Sequence, residues 1–159
     1  MEIRLAENGD LSGWVRLVEP MRHLFPGLET PESMEGYARD IAGAISRQEA
    51  LCAVENGTIC GVLAFSRAEN ELAFLAVSAQ HRRQGIARKL AERMFRELDP
   101  ARPVRLITYR EGVPEGEAAR SLYQRLGFCP GRLVEVDGSP AQEFLRPAEI
   151  PGSERSEAE

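Results

Sequence analysis

Apolar residues fall into distinct patterns along the chain, and each pattern predicts an element. Residues 71–77 carry an almost unbroken apolar run, Leu72, Ala73, Phe74, Leu75, Ala76 and Val77, as a central strand covered on both faces requires. From Gly85 the period changes. Ile86, Leu90, Met94 and Leu98 recur every four residues, with Ala87, Ala91 and Phe95 beside them, which is the stripe of an amphipathic helix. Similar stripes run through Leu11, Trp14, Val15 and Val18, through Met34, Tyr37, Ala38, Ile41, Ala42 and Ile45, and through Ala118, Ala119, Leu122, Tyr123 and Leu126. Strand character marks residues 3–6, 51–55, 58–66, 104–109, 128–136 and 142–145.

Turn chemistry divides these segments. Asn56-Gly57 is a two-residue hairpin turn, and Asp137-Gly138 closes a second hairpin. Pro31 follows Thr30 at a helix start, Asp99-Pro100 stops the helix after Gly85, and Gly127 stops the last helix. Pro140 lacks a backbone donor and implies a sheet edge or a longer loop. Residues 21–30 read as a loop holding His23, Phe25, Pro26 and Gly27. The order is strand, two helices, three strands, helix, strand, helix, two strands. It predicts an α/β sandwich whose mixed sheet has about seven strands and about four flanking helices, parallel where a helix crosses over. One domain then spans 1–147, and the small, charged and turn-forming residues of 148–159 are expected to form a disordered tail.

Composition narrows the function classes. With 159 residues and 43% apolar content the chain can bury one substantial core. Its net charge of −5 argues against coating nucleic acid or an anionic membrane. No apolar run approaches the roughly 20 residues that span a bilayer, and Met1-Glu2-Ile3-Arg4-Leu5 lacks a signal peptide's apolar stretch, so the expected location is cytoplasmic. Cys52, Cys60 and Cys129 are odd in number and have no metal-ligand spacing. A simple Asn56-Gly57 hairpin opposes Ala53 to Cys60, which sets Cys52 and Cys60 on opposite faces and leaves them as small buried thiols.

Positive charge is concentrated at one place, and on the wrong end of a helix. A helix N-terminus carries partial positive charge and unpaired N–H groups, so acidic residues belong there. Here Arg82 and Arg83 lead in, Arg88 and Lys89 occupy the first turns, and no carboxylate comes before Glu92. Two readings are open: a solvated basic turn, or a cradle in which backbone N–H groups, the helix dipole and flanking arginines bind a phosphate that glycine lets approach closely. Arg82-Arg83-Gln84-Gly85-Ile86-Ala87 resembles the R/Q-x-x-G-x-G/A turn of the GNAT superfamily of N-acetyltransferases, and the preceding Leu75-Ala76-Val77 and the following Arg88 fit the same pattern. A second stretch, from Ala119 to Phe128, is similar to the family's A-x-x-L-Y-x-x-x-G-F segment. The predicted element order is that of the GNAT fold from about Ile3 to Arg146.

The resemblance implies acetyl-CoA as co-substrate, no metal, and a single-domain GNAT-like fold. It implies that the turn from Arg82 to Arg88 holds the coenzyme's pyrophosphate and that main-chain groups of Leu75, Ala76 and Val77 pair with pantetheine, the Val77 N–H polarising the thioester carbonyl. Tyr123 matches the tyrosine near the coenzyme sulfur, the general acid for the departing thiolate. The other reading of Tyr123 is a core aromatic with a satisfied hydroxyl. Glu71 matches a position where several members place a glutamate base, and it also reads as an exposed strand-end carboxylate. Where many members carry an asparagine, seven residues before the tyrosine, this chain has Gly116. The acceptor is then an amine-bearing small molecule or polypeptide, lying between residues 21–35 and the closing hairpin, with Glu29, Glu32 and Glu35 nearby; the chain acts as a monomer or homodimer. A coenzyme A-binding sensor that lost turnover is the alternative to an enzyme.

Overall fold

The computed structural model describes residues 1–149. The expected tail lies outside the described residues from position 150 on. The elements are β1 (Glu2–Leu5), α1 (Leu11–Val18), α2 (Pro31–Ser46), β2 (Ala50–Glu55), β3 (Thr58–Ser66), β4 (Glu71–Val77), α3 (Ile86–Glu97), β5 (Val104–Thr108), α4 (Glu117–Arg125), β6 (Cys129–Val136) and β7 (Ser139–Arg146). The seven strands hydrogen-bond in the order β1-β2-β3-β4-β5-β7-β6, giving the expected mixed sheet with four helices. Two compact units divide the chain, Met1–Phe65 with Ala73–Met94, and Ser66–Leu72 with the chain from Phe95 on; β4 contributes to both.

In the first unit the stripes of α1 and α2 cover one face of the strands. Trp14, Val18, Met34, Ile41 and Ile45 pack with Ala50, Cys52, Val62, Ala64 and Ala76. The indole N–H of Trp14 donates to the Tyr37 hydroxyl over 2.8 Å, and both side chains are buried. That bond satisfies a donor that has no access to water. Tyr37→Phe is expected to cost about 1–3 kcal/mol by stranding the indole N–H, read as a lower denaturation midpoint at unchanged m-value.

The other face of the same strands carries α3, and the β2–β3 register decides how close it lies. The hairpin turn forms as expected, with Glu55 opposite Thr58 and both Asn56 and Gly57 at positive φ. A bulge between Ala53 and Val54 then shifts the register, so Ala53 opposes Gly61, not the expected Cys60. A Cβ on Gly61 would sit 2.7 Å from Ile86 Cγ2 and 3.1 Å from Leu90 Cδ1. The extra residue thus brings the one residue without a side chain beneath the start of α3. Cys52 and Cys60 are free and buried, whereas Cys129 is exposed. Burial pushes the Cys52 thiol up to about 11, as suits an inert packing group.

In the second unit, β4 enters beside β5 in parallel at Glu71↔Arg105. The wholly buried Asn70 amide organises the entry. Its Nδ2 faces the carbonyls of Asp99, Arg102 and Pro103 at 3.2, 3.3 and 3.1 Å, and its Oδ1 accepts from the Asp99 N–H. Pro140 sits inside β7, opposite Glu135 on β6. No longer loop forms there, and although β7 is an interior strand from Gln142 on, Pro140 lies where its β5 side is unpaired, a local edge as expected. The proline is tolerated because β5 pairs with β7 only from Gln142 on, so no β5 carbonyl waits for its missing donor. Residues 19–24, expected partly as loop, continue α1 as a 3₁₀ turn.

Candidate active site

The turn between β4 and α3 is built by local bonds and by two left-handed residues. The Ser78 N–H donates to the Cys60 carbonyl at 2.9 Å, fixing where the chain leaves β4. The Ser78 hydroxyl and His81 Nδ1 lie 2.6 Å apart, and His81 Nε2 is 3.6 Å from Glu55, so His81 is occupied as a brace. Arg83 and Gly85 take φ of +64° and +75°, a region costing L-residues about 1–2 kcal/mol. Strain kept in a solvent-facing turn points to function. Helix α3 has no acidic residue in its first turn, and its first bond runs from the Lys89 N–H to the Gly85 carbonyl at 3.0 Å.

Space and charge at that turn suit an anion. A Cβ on Gly85 would meet nothing within 4 Å. Arg82, Arg83, Arg88 and Lys89 are exposed, and among the described residues none forms an ion pair. Gln84 is exposed beside them, Ala87 is half-buried, and Ile86 is buried as the anchor of the helix against Gly61. Ahead of the turn, Leu75 and Ala76 are buried and Val77 is half-buried. Unpaired cations around open backbone at a helix N-terminus are what a diphosphate requires.

Tyr123 lies in the second unit, half-buried on α4, with its ring edge-on to Phe128 and Phe144 at 6.1 and 6.4 Å. Among the described residues its hydroxyl has no hydrogen-bond partner. Burial pushes the phenol up to about 12, so it holds its proton throughout the physiological range. The helix is fixed by a residue that the motif reading passed over. Buried Arg120 donates from Nη1 to the Tyr109 carbonyl at 2.8 Å and to Gln142 Oε1 at 2.6 Å, with Phe144 4.9 Å away. Gly116 also has a local reason, since a Cβ there would overlap Cβ and Cγ of Tyr109. An asparagine has no room at that position.

Glu71 is half-buried and tied, at variance with an exposed strand-end carboxylate. Its Oε2 accepts from Arg105 Nη1 at 2.8 Å. Burial pushes its carboxyl above the usual glutamate range, while Arg105 pulls the other way. Glu29 is occupied elsewhere, both its oxygens accepting the Gly27 N–H at 3.0 and 3.1 Å. Helix α2 is instead capped by Thr30 and Ser33. Among the described residues there is no cluster of three metal-ligating side chains and no helix long and apolar enough to cross a membrane.

Comparison with known proteins supplies the family. The Acetyltransferase (GNAT) domain matches residues 46–130. No curated protein matches the chain. Among solved structures, PaiA N-acetyltransferase from Thermoplasma acidophilum in complex with coenzyme A is 21% identical, with a TM-score of 0.67 over 92% of this chain and 98% of that one. An N-acetyltransferase from Staphylococcus aureus Mu50 is 16% identical, TM-score 0.73, over 91% and 100%. The ribosomal-protein-S18-alanine N-acetyltransferase from Escherichia coli is 21% identical, TM-score 0.67, over 95% and 96%. At these identities the likeness is one of fold.

Proposed function

The chain belongs to the GNAT acetyltransferases, enzymes that take acetyl-CoA as co-substrate, and on that premise we propose that it moves the acetyl group directly to a primary amine, with Tyr123 protonating the leaving thiolate and Glu71 acting as base. The observation that carries this reading is the unpaired basic start of α3 around Gly85, open to a ligand. The segment from Arg82 to Arg88 takes the pyrophosphate. Main-chain groups of Leu75, Ala76 and Val77 take pantetheine, and the Val77 N–H polarises the thioester carbonyl, the kind of donor whose loss costs ~100-fold or more.

In the reaction the amine nitrogen attacks the acyl carbon, the new C–N bond forms and the C–S bond breaks. The nitrogen's surplus proton passes to Glu71 through water, since Glu71 lies six residues before Val77 on β4. A carboxyl raised by burial is the better acceptor near neutral pH. Tyr123 donates to the departing sulfur. With the phenol at about 12 and a thiol near 8.5, complete transfer runs uphill by roughly 3.5 units, about 5 kcal/mol. The phenol therefore acts as the acid by sharing its proton with the developing thiolate through a hydrogen bond as the C–S bond breaks, and the shared proton is replaced from solvent.

Release of free thiol from acetyl-CoA over a panel of amines tests this: an alanyl tripeptide amide, lysine methyl ester, spermidine and an amino sugar. At least one member is expected to turn over, and Tyr123→Phe is expected to lower that rate about tenfold or more. Wild-type rates in the phenylalanine variant reject the acid role. A silent panel, with coenzyme A still bound, rejects the primary-amine reading.

A further inference from the structure

Glu71 stands at one end of a row of alternating charges that crosses four strands of the second unit. Arg105 on β5 donates from Nη1 to Glu71 on β4 at 2.8 Å and from Nε to Glu143 on β7 at 2.9 Å. Arg132 on β6 lies 3.2 Å from the other Glu143 oxygen. Burial falls in the middle of the row: the Glu143 side chain is 9% exposed, Glu71 20% and Arg105 30%, whereas Arg132 is 74% exposed. Cross-strand pairs between long charged side chains are ordinarily exposed and contribute little. A carboxylate as buried as Glu143, with both oxygens on guanidinium groups, is a fixed point.

We propose that Arg105 and Glu143 are positioning residues for Glu71, the guanidinium holding one Glu71 oxygen so that the other is presented to the water that carries away the proton of the acceptor's nitrogen. This rests on the reading of Glu71 as base. Among the described residues Glu71 Oε1 has no partner, while Oε2 is held. Arg105 in turn cannot swing away, because its Nε is fixed by the buried carboxylate behind it. The charges acting on Glu71 are Arg105, Glu69 from the turn before β4, and Glu143, with Arg132 beyond Glu143. Burial raises the Glu71 carboxyl and Arg105 restrains it, so the pair sets where the base titrates as well as where it points.

Signs follow for the pH profile. Glu71 must be ionised to accept a proton, so log kcat/KM breaks downward below its pKa. Arg105→Gln removes the neighbouring cation and is expected to move that break to higher pH by about one unit or more. Glu143→Gln removes an anion, frees Arg105 for Glu71, and is expected to move the break to lower pH. The acceptor's own titration is common to all variants and cancels in the comparison.

The experiment measures pH profiles for the fastest panel amine in wild type, Glu71→Gln, Arg105→Gln, Arg105→Lys and Glu143→Gln. A ¹³C titration of the Glu71 carboxyl is run beside them, and coenzyme A thermal stabilisation serves as the folding control. Opposite shifts in the two glutamine variants, tracking the carboxyl titration and largely restored by lysine, support the proposal. Breaks that stay in place or move in one direction, with stability loss alone, overturn it and leave a register-pinning row. Loss of the break in Glu71→Gln without shifts in the others rejects the positioning role only. A Glu71→Gln enzyme that keeps rate and break rejects the base reading itself. Should Arg105→Gln not fold, Glu143→Gln and Arg105→Lys carry the same test.

Discussion

Gly85→Val is expected to weaken coenzyme A binding about 100-fold while leaving the protein folded, an effect on the scale of one lost preorganised donor. Two causes act together. A β-branched residue resists the φ of +75° that Gly85 holds, so the first turn of α3 must re-form and its N–H groups re-aim. The added side chain also projects into the open space that a phosphate would fill, where a Cβ meets no protein atom within 4 Å. The same openness explains why the fold survives, since nothing is there to clash. Thermal stabilisation reads the result. At a coenzyme concentration of about 100 times the wild-type Kd the native protein gains roughly 2.7 kcal/mol, whereas a 100-fold weaker variant gains about 0.4 kcal/mol. A variant that is stabilised like wild type would remove the turn from the site and with it the anchor of the reaction.

That turn was legible in the sequence because its signal is local. The apolar run of 71–77 and the four-residue period from Ile86 meet at a cluster of arginines, and β4 and α3 form at those residues. Pairwise long-range features were not legible. Glu71 reads as a strand-end carboxylate until β5 and β7 bring Arg105 and Glu143 to it, from positions 34 residues beyond Glu71 and a further 38 beyond Arg105. The bulge at Ala53 and Val54 is invisible for a related reason. Alternation in β2 and β3 is satisfied with or without one extra residue, and only the fit of Gly61 beneath Ile86 chooses between them. Gly116 reads as a missing asparagine, although Tyr109 fills the space. Arg120 lies within the motif from Ala119 to Phe128, yet its spacing says nothing of the Tyr109 carbonyl that it holds. Periodicity reports which face is apolar; it does not report which polar partner arrives from another strand.

Asn70→Asp is expected to cost about 3–5 kcal/mol, a loss in the range reserved for buried networks that break. The substitution keeps nearly the same shape, the tolerance of positive φ and the oxygen that accepts the Asp99 N–H. What changes is the group facing the carbonyls of Asp99, Arg102 and Pro103, all within 3.3 Å. A donor that served them becomes an oxygen that repels them, in a side chain with no exposure to water. The cost should depend on pH with a definite sign. The introduced carboxyl has a folded-state pKa raised above its unfolded value near 3.9, so the deficit grows as pH rises from that value toward the folded pKa. Chemical denaturation at pH 5 and pH 8 is therefore expected to show the larger deficit at pH 8. Asn70→Ala loses the same donors without adding a charge, and its deficit should be flat across that interval. The link to chemistry runs through the backbone: the Asn70 carbonyl accepts the Arg105 N–H at 3.1 Å, one residue before the Glu71↔Arg105 pair. A loosened amide therefore loosens the register that brings the base to its arginine, and thiol release at pH 8 should fall in both variants along with stability. Equal deficits at the two pH values would mean that the carboxyl is hydrated, and that Asn70 is less enclosed than its contacts require.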